Sequence, residues 1–84
     1  MEKINHRQVL SVFEKIMSNG QRQEEGTVLN QIYASSGFDG YSITLWDEHV
    51  TVTLQFHNAI HCDCNNQQHL DNFLEKLDVI EKNY

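Results

Sequence analysis

Two consecutive runs of strict apolar–polar alternation occupy the middle of the chain. In the first, Tyr41, Ile43 and Leu45 alternate with Ser42, Thr44 and Trp46; in the second, Val50, Val52, Leu54 and Phe56 alternate with Thr51, Thr53, Gln55 and His57. A strand sends every second side chain to one face and a helix cannot, so both runs are strands with one apolar and one polar face. The apolar positions are odd-numbered in the first strand and even-numbered in the second. Facing pairs must therefore join odd to even, because a one-residue slip would set Leu45 beside Thr51. A two-residue connection would be Glu48-His49, poor chemistry for a type I′ turn, which favours a four-residue loop from Trp46 to His49. The even parity continues through Ile60, Cys62 and Cys64. A three-residue loop, His57-Asn58-Ala59, would pair Phe56 with Ile60 and start a short strand over 60–64.

A sheet with one apolar face needs a cover, and two helices flank it. Val9, Leu10, Val12, Phe13, Ile16 and Met17 fill an arc of about 160° at helical spacing, predicting a helix over 5–19. Asn5 is its N-cap, Gln8 completes a capping box, and Ile4 staples onto Val9. Gly20 supplies a left-handed stop. Leu70, Phe73, Leu74, Leu77 and Ile80 fill an arc of about 120°, predicting a second helix over 66–82, capped by Asn65 or Asn66. Gln21 to Gly26 contains no apolar residue and reads as a loop. Thr27 to Ser36, with β-branched and aromatic residues and the turn cluster Ser35-Ser36-Gly37 at its end, reads as a strand, in one piece or in two. The expected fold is α+β in two layers: an N-terminal helix, a four-stranded antiparallel meander and a C-terminal helix, with both helices on one sheet face. At 84 residues the chain is expected to be one domain, 1–84.

Twelve acidic residues face six basic ones, a net charge of −6, and no Lys or Arg occurs from Gln23 to Glu75. Phosphate neutralisation needs those cations, so nucleic acid and anionic lipid surfaces are not expected partners; a net acidic field can steer a basic partner, but its commonest role is solubility alone. No apolar run approaches the roughly 18–20 residues of a membrane span, and Met1 to Asn5 is not followed by the apolar stretch of a signal peptide. The two cysteines, in Cys62-Asp63-Cys64, make no disulfide framework. These features together suggest a cytoplasmic domain.

The stretch Ser36-Gly37-Phe38-Asp39-Gly40-Tyr41-Ser42-Ile43-Thr44-Leu45, followed by Val50-Thr51-Val52-Thr53-Leu54 and Phe56-His57-Asn58, resembles a small uncharacterised bacterial family, a domain of unknown function of marine gammaproteobacteria. The resemblance runs over nearly the whole chain. It implies a bacterial cytoplasmic setting and brings no activity, so no functional residue is carried over.

Candidate sites come from the residues themselves. The polar side of the central strands would carry Thr44, Trp46, Thr51, Thr53, Gln55, His57 and His61. Trp46 alternates out of phase with the core and should lie away from the helices, with no other large apolar residue on that face of the two central strands. Trp is enriched at binding hot spots, so this face is a candidate partner-binding patch. The strands also lack the Lys and Pro that usually blunt sheet edges, which suggests cover by a helix or by a second copy of the chain. The leading reading is a small non-enzymatic protein-interaction module, self-associating or docking on a protein partner, with no cofactor. The alternative is a metal-binding or thiol-redox protein using His57, His61, Cys62, Cys64 and His69. Against it, the spacing matches no zinc pattern, and alternation turns Cys62 and Cys64 to the apolar face and His61 to the other. Buried structural cysteines are the simpler expectation. Gly37-x-x-Gly40 is too short to cradle a phosphate, and no nucleophile, base and orienting group converge.

Overall fold

A computed structural model of the protein describes residues 6–37, 40–55 and 59–84. The elements run α1 (His6–Asn19), β1 (Gln21–Arg22), β2 (Thr27–Leu29), β3 (Ile32–Ser36), β4 (Ser42–Trp46), β5 (Val50–Gln55), β6 (Ala59–Cys64) and α2 (Gln67–Asn83). The strands form one antiparallel sheet in the order β1-β2-β3-β4-β5-β6. The α+β class and the helix–sheet–helix order are as expected, but the meander has six strands, not four.

The extra strands come from two turns. Asn30 and Gln31 both take left-handed backbone angles (φ 51° and 68°), and Leu29 pairs with Ile32 across them. This is the two-residue connection that suits the twist of a hairpin, and Asn tolerates it well. It divides the strand segment Thr27–Ser36, counted as one in the four-stranded expectation, into β2 and β3. The expected loop 21–26 holds β1, whose Gln21 and Arg22 pair with Val28 and Thr27. Gln23 and Gly26 close the intervening turn with reciprocal main-chain hydrogen bonds of 2.8 and 3.2 Å. Main-chain pairing, not apolar burial, makes β1 a strand, so it has no hydrophobic period.

Odd-to-even pairing holds between β4 and β5, with Leu45 opposite Val52 and Ile43 opposite Leu54. The expected four-residue loop is incorrect, however. Asp47 N–H donates to Val50 O at 2.9 Å, leaving Glu48-His49 as the connection. Neither residue has a positive φ, so the turn is not type I′. The Asp47 carboxylate holds it instead, as Oδ1 accepts from the N–H groups of His49 (2.8 Å) and Val50 (2.9 Å). Ile60 lies opposite Leu54, not Phe56; the connection at 56–58 is outside the described residues.

The core joins both helices to a single sheet face. Val9, Val12 and Ile16 of α1 and Phe73, Leu77 and Ile80 of α2 pack with Ile32, Ala34, Ile43, Leu45, Val50, Val52 and Leu54. Burying each larger aliphatic or aromatic side chain contributes about 1.5–3 kcal/mol before entropy is counted. The α1 stripe is narrower than expected, because Leu10 and Met17 are exposed. Tyr41, expected inward, precedes the first ladder pair of β4 and is 66% exposed.

Helix ends follow their local chemistry. Asn66 caps α2, its side chain accepting from the His69 N–H at 2.9 Å. Asn5 and Ile4, expected at the start of α1, are outside the described residues. Gly20 does end α1, its N–H donating to Ile16 O at 2.7 Å, but without a left-handed φ. A Cβ there would lie 2.6 Å from both Ile16 O and Val28 O. Close approach of α1 to β2, rather than backbone handedness, requires the glycine. Across the helix layer, Gln8 Nε2 donates to Asp78 Oδ1 (2.8 Å) and Glu81 Oε1 (3.2 Å).

Candidate functional site

The sheet face away from the helices carries the expected patch. Successive pairings run Val28–Tyr33–Trp46–Thr51–Asp63 across β2 to β6, and Ser35–Thr44–Thr53–His61 across β3 to β6. Ser42, Gln55 and Ala59 continue the same face. Trp46, Thr44, Thr51, Thr53 and Gln55 are thus brought together on one surface, with Thr51 and Gln55 exposed and the rest half-buried. His57 is outside the described residues.

Trp46 is not the isolated aromatic of the sequence reading. Its ring stacks on Tyr33, with centroids 5.5 Å apart and planes 13° from parallel. A Cβ on Gly26 would be 3.1 Å from Trp46 Cη2 and 2.6 Å from Ala34 O, so the indole also lies over this glycine. Tyr33 lies on the face opposite Ile32 and Ala34, as alternation implies; what the sequence leaves open is the register that sets it opposite Trp46. The Asn30-Gln31 turn reverses the phase for Val28, which joins the outer face opposite Tyr33. Stacked aromatic pairs of this geometry contribute about 0.5–1.5 kcal/mol beyond their burial.

The His and Cys residues of the alternative reading are distributed differently. His61 faces Thr53 on the outer face, whereas Cys62 and Cys64 face Val52 and Val50 on the helix side. Cys62, expected to be buried, is exposed: β6 is the last strand of the sheet, and even Ile60 and Cys64 on its helix side are only half-buried. His69 stacks on His49 instead, with ring centroids 3.9 Å apart. Among the described residues no group of three or more His, Cys, Asp or Glu side chains is placed to hold a metal ion.

The His49–His69 stack lines a groove of about 670 Å³ between α2 and the turns at Asn30 and Asp47. No spacing rule could have found it, since its parts come from two turns and a helix. Lys76 joins them: its Nζ donates to Asp47 Oδ2 at 3.0 Å, and its carbonyl accepts from Asn30 Nδ2 at 3.3 Å. The Asp47 side chain is only 4% exposed. Burial alone would raise its pKa, but the His49 N–H, the Lys76 ammonium and the Val50 N–H together outweigh that and hold the carboxyl below its ordinary value. The groove is lined by carboxylate, imidazole and amide groups and by Lys76 and Val79, with no hydroxyl or thiol side chain to serve as a nucleophile. Among the described residues, no helix is long and apolar enough to cross a membrane.

No curated protein and no solved structure matches this chain. A family model does, over residues 4–84, and the chain belongs to that family, which is described as a protein of unknown function (DUF3081).

Proposed function

We propose that the protein is a small non-enzymatic interaction module that receives a Lys- or Arg-bearing segment of a protein partner on its outer sheet face. The observation behind this reading is the stacked Tyr33–Trp46 pair, half-buried on the face that neither helix covers. Aromatic faces attract cationic side chains, and Trp and Tyr are enriched where binding energy concentrates. The threonines and serines around the pair add hydroxyls that hydrogen-bond a docked chain. The sheet strands from Thr27 onward carry no Lys or Arg, Lys76 near Tyr33 is held by Asp47, and the net charge of −6 steers a cationic segment inward. The same lack of cations disfavours nucleic acid. A bacterial cytoplasm, where thiols stay reduced, suits Cys62 and Cys64.

The test is a titration of the isotope-labelled protein with a hexa-arginine peptide, followed by NMR. Shifts concentrated on Tyr33, Trp46, Thr51 and Thr53 support the reading. Shifts spread over the acidic helix positions Asp71, Glu75, Asp78 and Glu81 would reduce it to general charge attraction. Trp46→Ala should weaken binding by about 2 kcal/mol. It should cost about 1–2 kcal/mol of folding stability through the lost stack, read from urea midpoints.

A further inference from the structure

Tyr33 has two neighbours across the outer sheet face, Trp46 on β4 and Val28 on β2. Trp46 stacks on one face of its ring. Tyr33 and Val28, but not Trp46, line a pocket of about 470 Å³ near the β2–β3 and β4–β5 turns. The ring face turned from Trp46 is therefore the one that Tyr33 gives to the pocket. The pocket's charged side chains are two carboxylates and one ammonium, Asp47, Glu48 and Lys76. Asp47 and Lys76 match each other at 3.0 Å, and the N–H groups of His49 and Val50 take up the other Asp47 oxygen. The net negative charge is thus left on Glu48, which is exposed. Gln23 and Gln31 add amide oxygens to the wall. Gln31 stands at φ 68°, a left-handed position that glycine would fill with less strain. A glutamine there costs the turn some stability and gives the pocket a polar side chain, the kind of local strain that marks binding sites.

We infer that this pocket seats the guanidinium of one arginine of the protein partner, laid on the Tyr33 face turned from Trp46, paired with Glu48 and hydrogen-bonded to Gln31. The inference rests on the reading of the outer face as a docking surface and names the side chain that enters it. The volume lies in the usual range of about 300–1,000 Å³ for sites that enclose a small group. An anion would meet Glu48 and would find the Lys76 charge already matched by Asp47. Arginine fits better than lysine. A planar guanidinium stacks on an aromatic ring and sheds its water readily, whereas an ammonium is a compact and strongly hydrated charge. The five N–H donors of arginine can serve the Glu48 carboxylate and the amide oxygens of Gln23 and Gln31 together.

NMR titrations with hexa-arginine and hexa-lysine peptides, at one low salt concentration, test it. Hexa-arginine should bind about fivefold more tightly, with shifts that reach Gln31 and Glu48 as well as Tyr33. Glu48→Gln should weaken hexa-arginine about fivefold and remove the preference over hexa-lysine. Glu14→Gln makes the same charge change on the exposed side of α1 and should alter binding by less than about twofold. Gln31→Gly should raise the urea midpoint yet weaken hexa-arginine about threefold, because the strained residue leaves together with its amide. A purely structural role for Gln31 would not move stability and affinity in opposite directions. Equal affinity for the two peptides, a Glu48→Gln loss no larger than that of Glu14→Gln, or full affinity in Gln31→Gly would each overturn the pocket. Shifts kept at Trp46, Thr51 and Thr53 would then leave the docking face standing. Shifts at Gln31 and Glu48 with none at Trp46, Thr51 and Thr53 would overturn the docking face and keep the pocket. No binding of either peptide would overturn both.

Discussion

The β2–β3 and β4–β5 hairpins each turn on two residues, and both turns are anchored to Lys76. They are built differently. The Asn30-Gln31 turn is made by the backbone, with two residues in the left-handed region. The Glu48-His49 turn keeps ordinary backbone angles and depends on one side chain, as the Asp47 carboxylate accepts from two main-chain N–H groups and the Lys76 ammonium. The first arrangement divides its requirement between two left-handed positions, which Gly and Asn occupy with least strain. The second concentrates the turn in one buried carboxylate. Two connections of equal length should therefore differ sharply in their tolerance of substitution.

Asp47→Ala should have the largest effect. It strands the Val50 N–H and leaves the Lys76 ammonium without its partner, a loss of about 3 kcal/mol in urea unfolding. A loss below about 1 kcal/mol would remove the contrast between the turns. Asp47→Asn is next. Its carbonyl can still accept from the turn, so only the charge is lost, about 1–2 kcal/mol at neutral pH. The folded-state pKa of Asp47 is depressed, so its contribution is fully present above the ordinary aspartate value of about 4 and is lost as pH falls through the lowered value. The wild-type and Asp47→Asn midpoints should therefore converge in acid, and a constant gap would assign the loss to packing. Asn30→Ala should cost about 1 kcal/mol, from the poorer left-handed fit of alanine and the missing bond to Lys76 O. Gln31→Gly should have the smallest effect, a gain of about 0.5 kcal/mol, because glycine takes φ of 68° without strain. A clear loss there would mean that the Gln31 side chain, not its backbone angle, supports the turn.

These turns also mark where sequence reading succeeded and where it stopped. Apolar spacing placed both helices to within a residue at each described end, and strand parity put Ile43, Leu45, Val52 and Leu54 in the core. Periodicity reports burial, and these residues are buried. It is silent where a strand is held only by main-chain bonds, as at Gln21–Arg22. It misleads where a turn without glycine reverses the phase, as at Asn30-Gln31. Backbone preference alone argues against Glu48-His49 as a turn; the preceding Asp47 carboxylate, by accepting from the His49 and Val50 N–H groups, makes it one. For the site, Trp46 and its threonines were legible from alternation, while the Tyr33–Trp46 pairing depended on a strand register that alternation leaves open. Cys62 kept its predicted face but not its predicted burial, since parity assigns a side without saying how far the helix layer extends. The His49–His69 stack is tertiary and leaves no local trace.

The consecutive strand order has a kinetic consequence. Every strand pairs with its neighbour in the chain, so each hairpin can close over a short span, within about 1–10 μs for an isolated unit. The helices are the opposite case. Gln8 meets Asp78 and Glu81 across 70 and 73 positions, and since α1 lies on β2 to β4 and α2 on β5 and β6, the sheet face is fully covered only when both helices have docked. Loop-closure entropy rises only logarithmically with span, but here it is met before the apolar face is sealed. Hairpin formation should precede helix docking, and the transition state should be gated by the meeting of α1 and α2 on a preformed meander. Substitutions on the buried faces of the helices, such as Val12→Ala or Ile80→Val, should then slow folding, while those in the β2–β3 turn should mainly speed unfolding.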